Sequence, residues 1–161
     1  MTFYHEAIKS PVGTLYLVCD EKALCIVAME DNWAQLKKRL PDLIKQPHTI
    51  LELTKLQLKE YFEKKRQQFD IPLNFEGTDF QQKTWQALLD IPYGKTISYS
   101  EQAIMVGNPK AVRAIGGTNA KNPISIIVPC HRVISKSGKL TGYAGGIKNK
   151  EFLLDLEQRY F

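Results

Sequence analysis

The sequence predicts an α+β protein, strands then helices over residues 1–76 and mainly helical over residues 77–161. Three observations carry that division. The N-terminal stretch holds short β-branched and aromatic runs separated by turn residues. Apolar residues then recur at helical spacing, and the texture changes across the extended, Pro-containing stretch Asp70–Gly77 (DIPLNFEG), which reads as a linker.

Phe3–Ile8, Thr14–Val18 and Leu24–Met29 read as a strand meander, broken by Ser-Pro-Val-Gly and Asp-Glu-Lys turns. Asp31 or Asn32 can cap a helix carrying Trp33, Leu36 and Leu40 at i, i+3, i+7, which Pro41 stops. A second helix spans about Thr49 to Lys65, with Ile50, Leu51, Thr54, Leu58, Tyr61 and Phe62 on one face and a Glu60–Lys64 pair at i,i+4. Past Gly77, Asp79–Leu89 reads as a helix with Phe80, Trp85, Leu88 and Leu89 inward. Ser98 caps a short helix, Tyr99–Met105; Gly107-Asn108-Pro109 turns the chain, and Lys110–Asn119 forms the next. Ile124–Val128 reads as an apolar strand. The last helix, Asn149–Tyr160, sends Phe152, Leu153, Leu156 and Tyr160 inward.

Composition narrows the function classes. The chain has 161 residues with 22 Lys+Arg against 17 Asp+Glu, a net charge of +5, and 43% apolar residues, so it can bury a core. No apolar run approaches the roughly 18 residues of a membrane span, and Met1–Ser10 lacks the layout of a signal peptide, which sets aside membrane-spanning and secreted classes and points to the cytoplasm. The excess of positive charge is modest and only weakly favours a polyanionic partner. Three cysteines, none in a CxxC, argue against a disulfide framework and for a reducing compartment. Cys19 and Cys25 sit in apolar runs as buried thiols; a zinc site built from them with His5 and His48 needs a spacing no common motif has.

Two features point to chemistry. The short helices around Gly107 match the helix-turn-helix pattern, and equally a plain helical hairpin; the second carries Lys110 and Arg113 and no acidic residue, which suits phosphate or a groove. The other is Pro129-Cys130-His131-Arg132. Proline suits a first helical position, leaving Cys130 among unpaired N–H groups where the dipole and a neighbouring Arg132 or protonated His131 favour thiolate. His131 supplies a base that works directly or through a water, and Glu157 can orient it as the third member of a relay. A buried thiol beside a satisfied histidine is the alternative for Cys130, and a solvated helix glutamate is the simpler reading of Glu157 by spacing alone. The glycines of 138–146 read as a loop that approaches a ligand closely.

These residues resemble the O6-alkylguanine-DNA alkyltransferases, the methylated-DNA–protein-cysteine methyltransferases. The resemblance runs from about Gly77 to Glu157 and rests on Ile127-Val128-Pro129-Cys130-His131-Arg132-Val133-Ile134, reinforced by Ile91-Pro92-Tyr93-Gly94, Ser98-Tyr99, Gly107 to Gly117, Lys121-Asn122-Pro123 and Thr141 to Gly146. It implies an RNase H-like α/β domain over 1–76 and, over 77–161, a winged helix-turn-helix domain that carries the active-site cysteine. Gly145-Gly146 and Thr141 look most like the constitutive bacterial branch.

The roles that follow are those the resemblance implies. Cys130 takes the alkyl group from O6-alkylguanine, and from O4-alkylthymine, in one irreversible turnover. His131, through a water, and Glu157 remove its proton, and Asn122 braces the active-site turn. Tyr99 rotates the 3′ phosphate and donates to the leaving purine. Arg113 fills the space of the extruded nucleotide, while Ser100, Asn108 and Lys136 touch DNA through the minor groove. Val133, Tyr143, Ala144 and Gly145 wall the pocket, with the Cys130 and Val133 carbonyls accepting from the guanine amino group. The partner is double-stranded DNA, the protein is a monomer, and neither metal nor cofactor is called for. Ser125 stands where some relatives have proline and Ala144 where many have serine, which puts the range of alkyl groups in doubt. Competing readings are a non-catalytic lesion-binding relative, which the presence of Cys130 opposes, a Cys-His-Glu hydrolase, and a transcriptional regulator.

Overall fold

The turn at Ser10–Gly13 sets the register of the first hairpin. Ser10 Oγ accepts from Val12 N–H at 3.1 Å and donates to Gly13 O at 2.7 Å, and Gly13 adopts φ +92°, which only glycine takes without strain. In this computed structural model, which describes residues 2–140 and 142–158, β1 (Phe3–Ser10), β2 (Gly13–Cys19) and β3 (Leu24–Ala28) form the expected antiparallel meander. A further strand, β4 (Leu43–Lys45), pairs parallel to β1, giving the order β3-β2-β1-β4. The sequence reading left that segment unassigned, because three residues offer no periodicity to read.

Both faces of the sheet are covered. Leu15, Leu17 and Cys19 point into the main core with Leu51, Leu58 and Tyr61 of α2 (Thr49–Phe62), while Val18, Ile26 and Ala28 face Leu36 of α1 (Glu30–Lys37). Tyr16 and Trp33 stack with centroids 4.8 Å apart on the second face. The α1 cap differs from expectation. The helix starts at Glu30, and Asn32, at its third position, reaches back to accept from Met29 N–H at 2.9 Å. Helix α2 stops at Phe62, three residues early, because Lys64 takes φ +62°; Glu60 therefore pairs with Arg66 at 3.0 Å instead of Lys64. Cys25, expected to be buried, is half-buried with its Sγ 3.6 Å from Asp20.

The second half begins with α3 (Asp79–Leu88), capped reciprocally by Thr78 and Gln81. Leu89, expected inward, lies beyond the helix and is 37% exposed. Helix α4 (Tyr99–Met105) carries the expected Ser98 cap, again reciprocal with Glu101. It joins α5 (Val112–Asn119) through Gly107 at φ +85°, and α5 starts two residues later than the sequence suggests, at Val112. Gln102 and Asn119 exchange amide hydrogen bonds of 3.0 and 2.7 Å, and Trp85 Nε1 donates to Thr118 O, so α3, α4 and α5 are locked together. Strands β5 (Ile97–Ser98) and β6 (Val133–Ile134) make a short parallel pair beside them.

The expected strand Ile124–Val128 is a buried turn. Val128 N–H donates to Ile124 O, and Ile126 sits at φ +72°. A short apolar run that is buried on all sides carries no pattern separating strand from turn. Only Ile124 pairs, with Val27: Val27 N–H donates to Pro123 O and Ser125 N–H donates to Val27 O, while Leu24 pairs likewise with the linker at Leu73. The free edge of β3 is thus covered by the linker and by the turn leading to Cys130. One core cluster runs through both halves, from Leu15, Leu17 and Tyr61 to Trp85, Val128 and Leu156. No helix among the described residues is long and apolar enough to cross a membrane.

The final helix, α6, is described over Ile147–Gln158, and Tyr160, like Thr141, lies outside the described residues. Its buried stripe is Lys150, Leu153, Leu154, Leu156 and Glu157, so Phe152 turns outward at 38% exposure. Apolarity alone rotates the helix wrongly, since it counts Lys150 and Glu157 as solvent-facing. Before α6, the glycine loop packs on the protein itself: a Cβ on Gly145 would lie 2.1 Å from Sδ of fully buried Met29.

Gly145→Ala is therefore expected to cost about 1–3 kcal/mol by overpacking, read from urea unfolding. Combined with Met29→Ala the loss should fall short of the sum of the single losses; strict additivity would show that the two positions do not share this contact.

Candidate active site

Asn122 organises the turn before Cys130. Its Oδ1 accepts from Ile124 N–H at 3.0 Å, and its Nδ2 donates to Val128 O at 2.7 Å and to Cys130 Sγ at 3.2 Å. Cys130, only 4% exposed, opens a single 3₁₀ turn, Cys130–Arg132. Burial pushes its thiol up to about 11, against the pull of the Asn122 hydrogen bond and the Lys150 charge. This corrects the expectation of a thiolate favoured by a helix dipole and by adjacent His131 and Arg132. One 3₁₀ turn has little dipole, and both side chains are committed elsewhere. Cys19 and Cys25 are pushed further, to about 12, by burial and then by Asp20.

His131 and Arg132 converge on Glu157. His131 Nε2 lies 2.6 Å from Glu157 Oε2; Arg132 donates from Nε to Oε1 at 2.8 Å and from Nη2 to Oε2 at 3.1 Å, with Nη1 on Ile91 O at 2.7 Å. The guanidinium also lies 5.7 Å from the Tyr93 ring centre. Gly94 N–H reaches Oε1 at 3.3 Å, and Tyr61 Oη donates to Oε2 at 2.6 Å. Burial opposes ionisation of Glu157, but His131 and Arg132 outweigh it and hold the carboxyl well below the usual carboxylate range. Burial in turn holds His131 below the ordinary histidine value. The ring is then neutral, and with an ionised carboxylate at Nε2 the tautomer that fits carries its proton there. Nδ1, buried and without a hydrogen-bond partner among the described residues, is left as the acceptor. Arg132 is buried in this pair.

Lys150 is a further buried charge beside the site. Its Nζ donates to Val133 O at 2.7 Å and lies 5.9 Å from the Tyr99 ring centre. Burial lowers its proton affinity. The Val133 carbonyl keeps a second lone pair, and the Cys130 carbonyl accepts from Val133 N–H. Tyr143 Oη is buried close enough to Cys130 for their charges to interact; Ala144 is half-buried and Gly145 buried. Cys130, His131, Asn122 and Glu157 are thus brought together, with Val133, Tyr143 and the half-buried Tyr99 around them. Asn108 and Arg113 are exposed on the helix-turn-helix, and Ser100 and Lys136 line one groove of about 380 Å³ with Ser98, Glu101 and Ser135.

Sequence reasoning missed Tyr61, Gly94 and Lys150. Lys150 was findable, since it precedes Leu153 and Glu157 by three and seven residues and so shares their face of α6. Tyr61, 96 residues from Glu157, carried no such signal.

An α/β half joined to a helix-turn-helix half, with a cysteine, a histidine and a carboxylate gathered between them, defines a DNA-binding protein built around a nucleophilic thiol. The profile described as "6-O-methylguanine DNA methyltransferase, ribonuclease-like domain" matches residues 3–75, and the one described as "6-O-methylguanine DNA methyltransferase, DNA binding domain" matches residues 79–159. A methylated-DNA–protein-cysteine methyltransferase of Methanosarcina barkeri is 46% identical over 158 residues, covering 96% of this chain and 97% of its own. The constitutive enzyme of Bacillus subtilis is 42% identical over 157 residues, covering 96% and 95%. The crystal structure of Mycobacterium tuberculosis OGT in complex with DNA superposes with a TM-score of 0.89 at 43% identity, over 99% of this chain and 94% of that one. The chain belongs to the 6-O-methylguanine DNA methyltransferase family.

Removing the Glu157 charge strands Arg132. Glu157→Gln is expected to cost about 3–5 kcal/mol at neutral pH, as breaking a buried pair does. Because folding holds this carboxyl below its unfolded value of about 4.3, its contribution is complete above that pH and fades as pH falls through the lower folded value. Urea unfolding should show the gap between wild type and variant steady at neutral pH and narrowing in acid; a gap that widens in acid would contradict this account.

Proposed function

We propose that the chain repairs DNA by direct reversal. It flips O6-alkylguanine, and O4-alkylthymine, out of a duplex and takes the alkyl group onto Cys130, one turnover per molecule. The observation that carries this reading is a buried thiol held by Asn122 beside a buried histidine whose Nε2 lies 2.6 Å from the Glu157 carboxylate. With its thiol pushed up to about 11, Cys130 is protonated at rest and needs a base. His131 Nδ1, through a water, takes the thiol proton, and Glu157 stabilises the imidazolium without accepting that proton itself. The sulfur pair attacks the alkyl carbon, the C–O bond breaks toward O6, and the purine regains a proton so that ordinary guanine results. Tyr99 donates to that purine. The proton lost by the thiol balances the one guanine gains, and the thioether product resists hydrolysis.

Base extrusion costs a few kcal/mol, which Arg113 offsets by filling the stack from the exposed face of α5 in the minor groove. Ser100, Asn108 and Lys136 hold the backbone. The Cys130 and Val133 carbonyls accept from the guanine amino group, and Tyr143, Ala144 and Gly145 close the pocket. In this reading the boundary falls at 76/77, the protein acts as a monomer, and it works in the cytoplasm.

Incubation with a duplex carrying one O6-methylguanine should add a single CH2 to the intact mass, on Cys130, saturating at about one equivalent and abolished by Cys130→Ala. Repeated turnover or an unmodified Cys130 would overturn the reading. Arg113→Ala should slow repair in the duplex by about tenfold or more, the scale of losing part of the extrusion energy, while barely changing reaction with a free-base substrate. Equal losses would count against its place in the stack.

A further inference from the structure

Glu157 Oε2 receives donors from three places, and one of them, Tyr61, belongs to the N-terminal half. The hydroxyl lies 2.6 Å from the oxygen that also holds His131 Nε2 at 2.6 Å and Arg132 Nη2 at 3.1 Å. An ionised carboxylate only accepts, so Tyr61 donates. Its ring is fully buried in the last turn of α2 and braced by Phe62, Phe69 and Tyr93, with centroids 5.3, 5.4 and 6.2 Å away. A phenol clamped in this way has little freedom, and so fixes the carboxylate it donates to.

We infer that Tyr61 is a positioning residue for alkyl transfer, its hydroxyl fixing the Glu157 carboxylate that orients His131. The inference rests on the function proposed above. Its physical content is a division of charge. Glu157 shares its negative charge among Tyr61, Arg132, Gly94 and His131, and each added donor lessens the share that holds a proton on His131. With the hydroxyl in place the imidazole is aimed but is not made so basic that it is protonated at rest. Among the described residues, the titratable and charged groups around the pair are Tyr61 from α2, Tyr93 from the Ile91–Gly94 turn, Arg132 beside His131, Lys150 from α6, Cys130, and Tyr143 from the glycine loop. Of these, Tyr61 alone comes from the N-terminal half, so the active site is shared between the two halves.

The test uses the full chain and single-turnover transfer from an O6-methylguanine duplex at saturating protein, followed by intact mass across the pH range. Tyr61→Phe, which keeps the ring, should slow transfer at neutral pH by about tenfold, the worth of one hydrogen bond to a charged group. It should also move the acid limb of the pH–rate profile to higher pH, with duplex affinity unchanged. Site-specific 3-fluorotyrosine at position 61 keeps both fold and donor while strengthening the donor, and should move that limb the other way. A folded Tyr61→Phe with wild-type rate and profile, or an acid limb that fluorination leaves in place, would reduce Tyr61 to a packing residue. If the wild type itself takes up no methyl group, it is the parent function that fails.

Discussion

A single buried carboxylate organises this molecule. Glu157 is held ionised inside the protein, and an uncompensated charge there costs several kcal/mol even after relaxation. Its compensation recruits the Arg132 fork, the His131 ring, the Gly94 amide and the Tyr61 hydroxyl. Those groups come from the active-site turn, the Ile91–Gly94 turn and α2, and Glu157 itself from α6. Satisfying one charge therefore fixes the mutual placement of elements from both halves. Arg132 is buried for this reason, and the His131 ring is tied to the same carboxylate.

Cys130 is a neutral thiol at rest, pushed up to about 11 by burial. Burial suppresses ionisation of all three thiols, but their surroundings differ. Cys19 and Cys25 face the Asp20 charge, which suppresses them further, whereas Cys130 has Asn122 and the cation of Lys150 pulling the other way. Neighbouring charge thus sets the surroundings of Cys130 apart from those of the other two thiols. A resting thiol also resists stray oxidation better than a thiolate.

The edge of β3 links sheet to site. Ile124 and Leu73 pair along it, so the turn leading into Cys130 hangs from the N-terminal sheet, and Gly145 presses on Met29 at the end of the same strand. The glycine loop reads in sequence as flexible approach to a ligand. In the fold its tightest approach is to the protein's own core.

The sequence by itself determined what local chemistry and strong periodicity determine: the hairpin meander, the Ser98 cap, the two short helices joined at Gly107, and the run from Asn122 to His131, with Glu157 reached only through the family resemblance. These signals reside within a few residues of one another or in residue types that few alternatives explain. Only the tertiary structure decided the rest. The apolar run Ile124–Val128 became a turn because burial on every side erases periodicity, and Phe152 turned outward because Lys150 and Glu157 took the inward face in exchange for buried partners. Cys130 lost its expected low pKa because desolvation depends on what surrounds a group in space. Tyr61 entered the site across 96 residues of chain, a contact that no local pattern encodes.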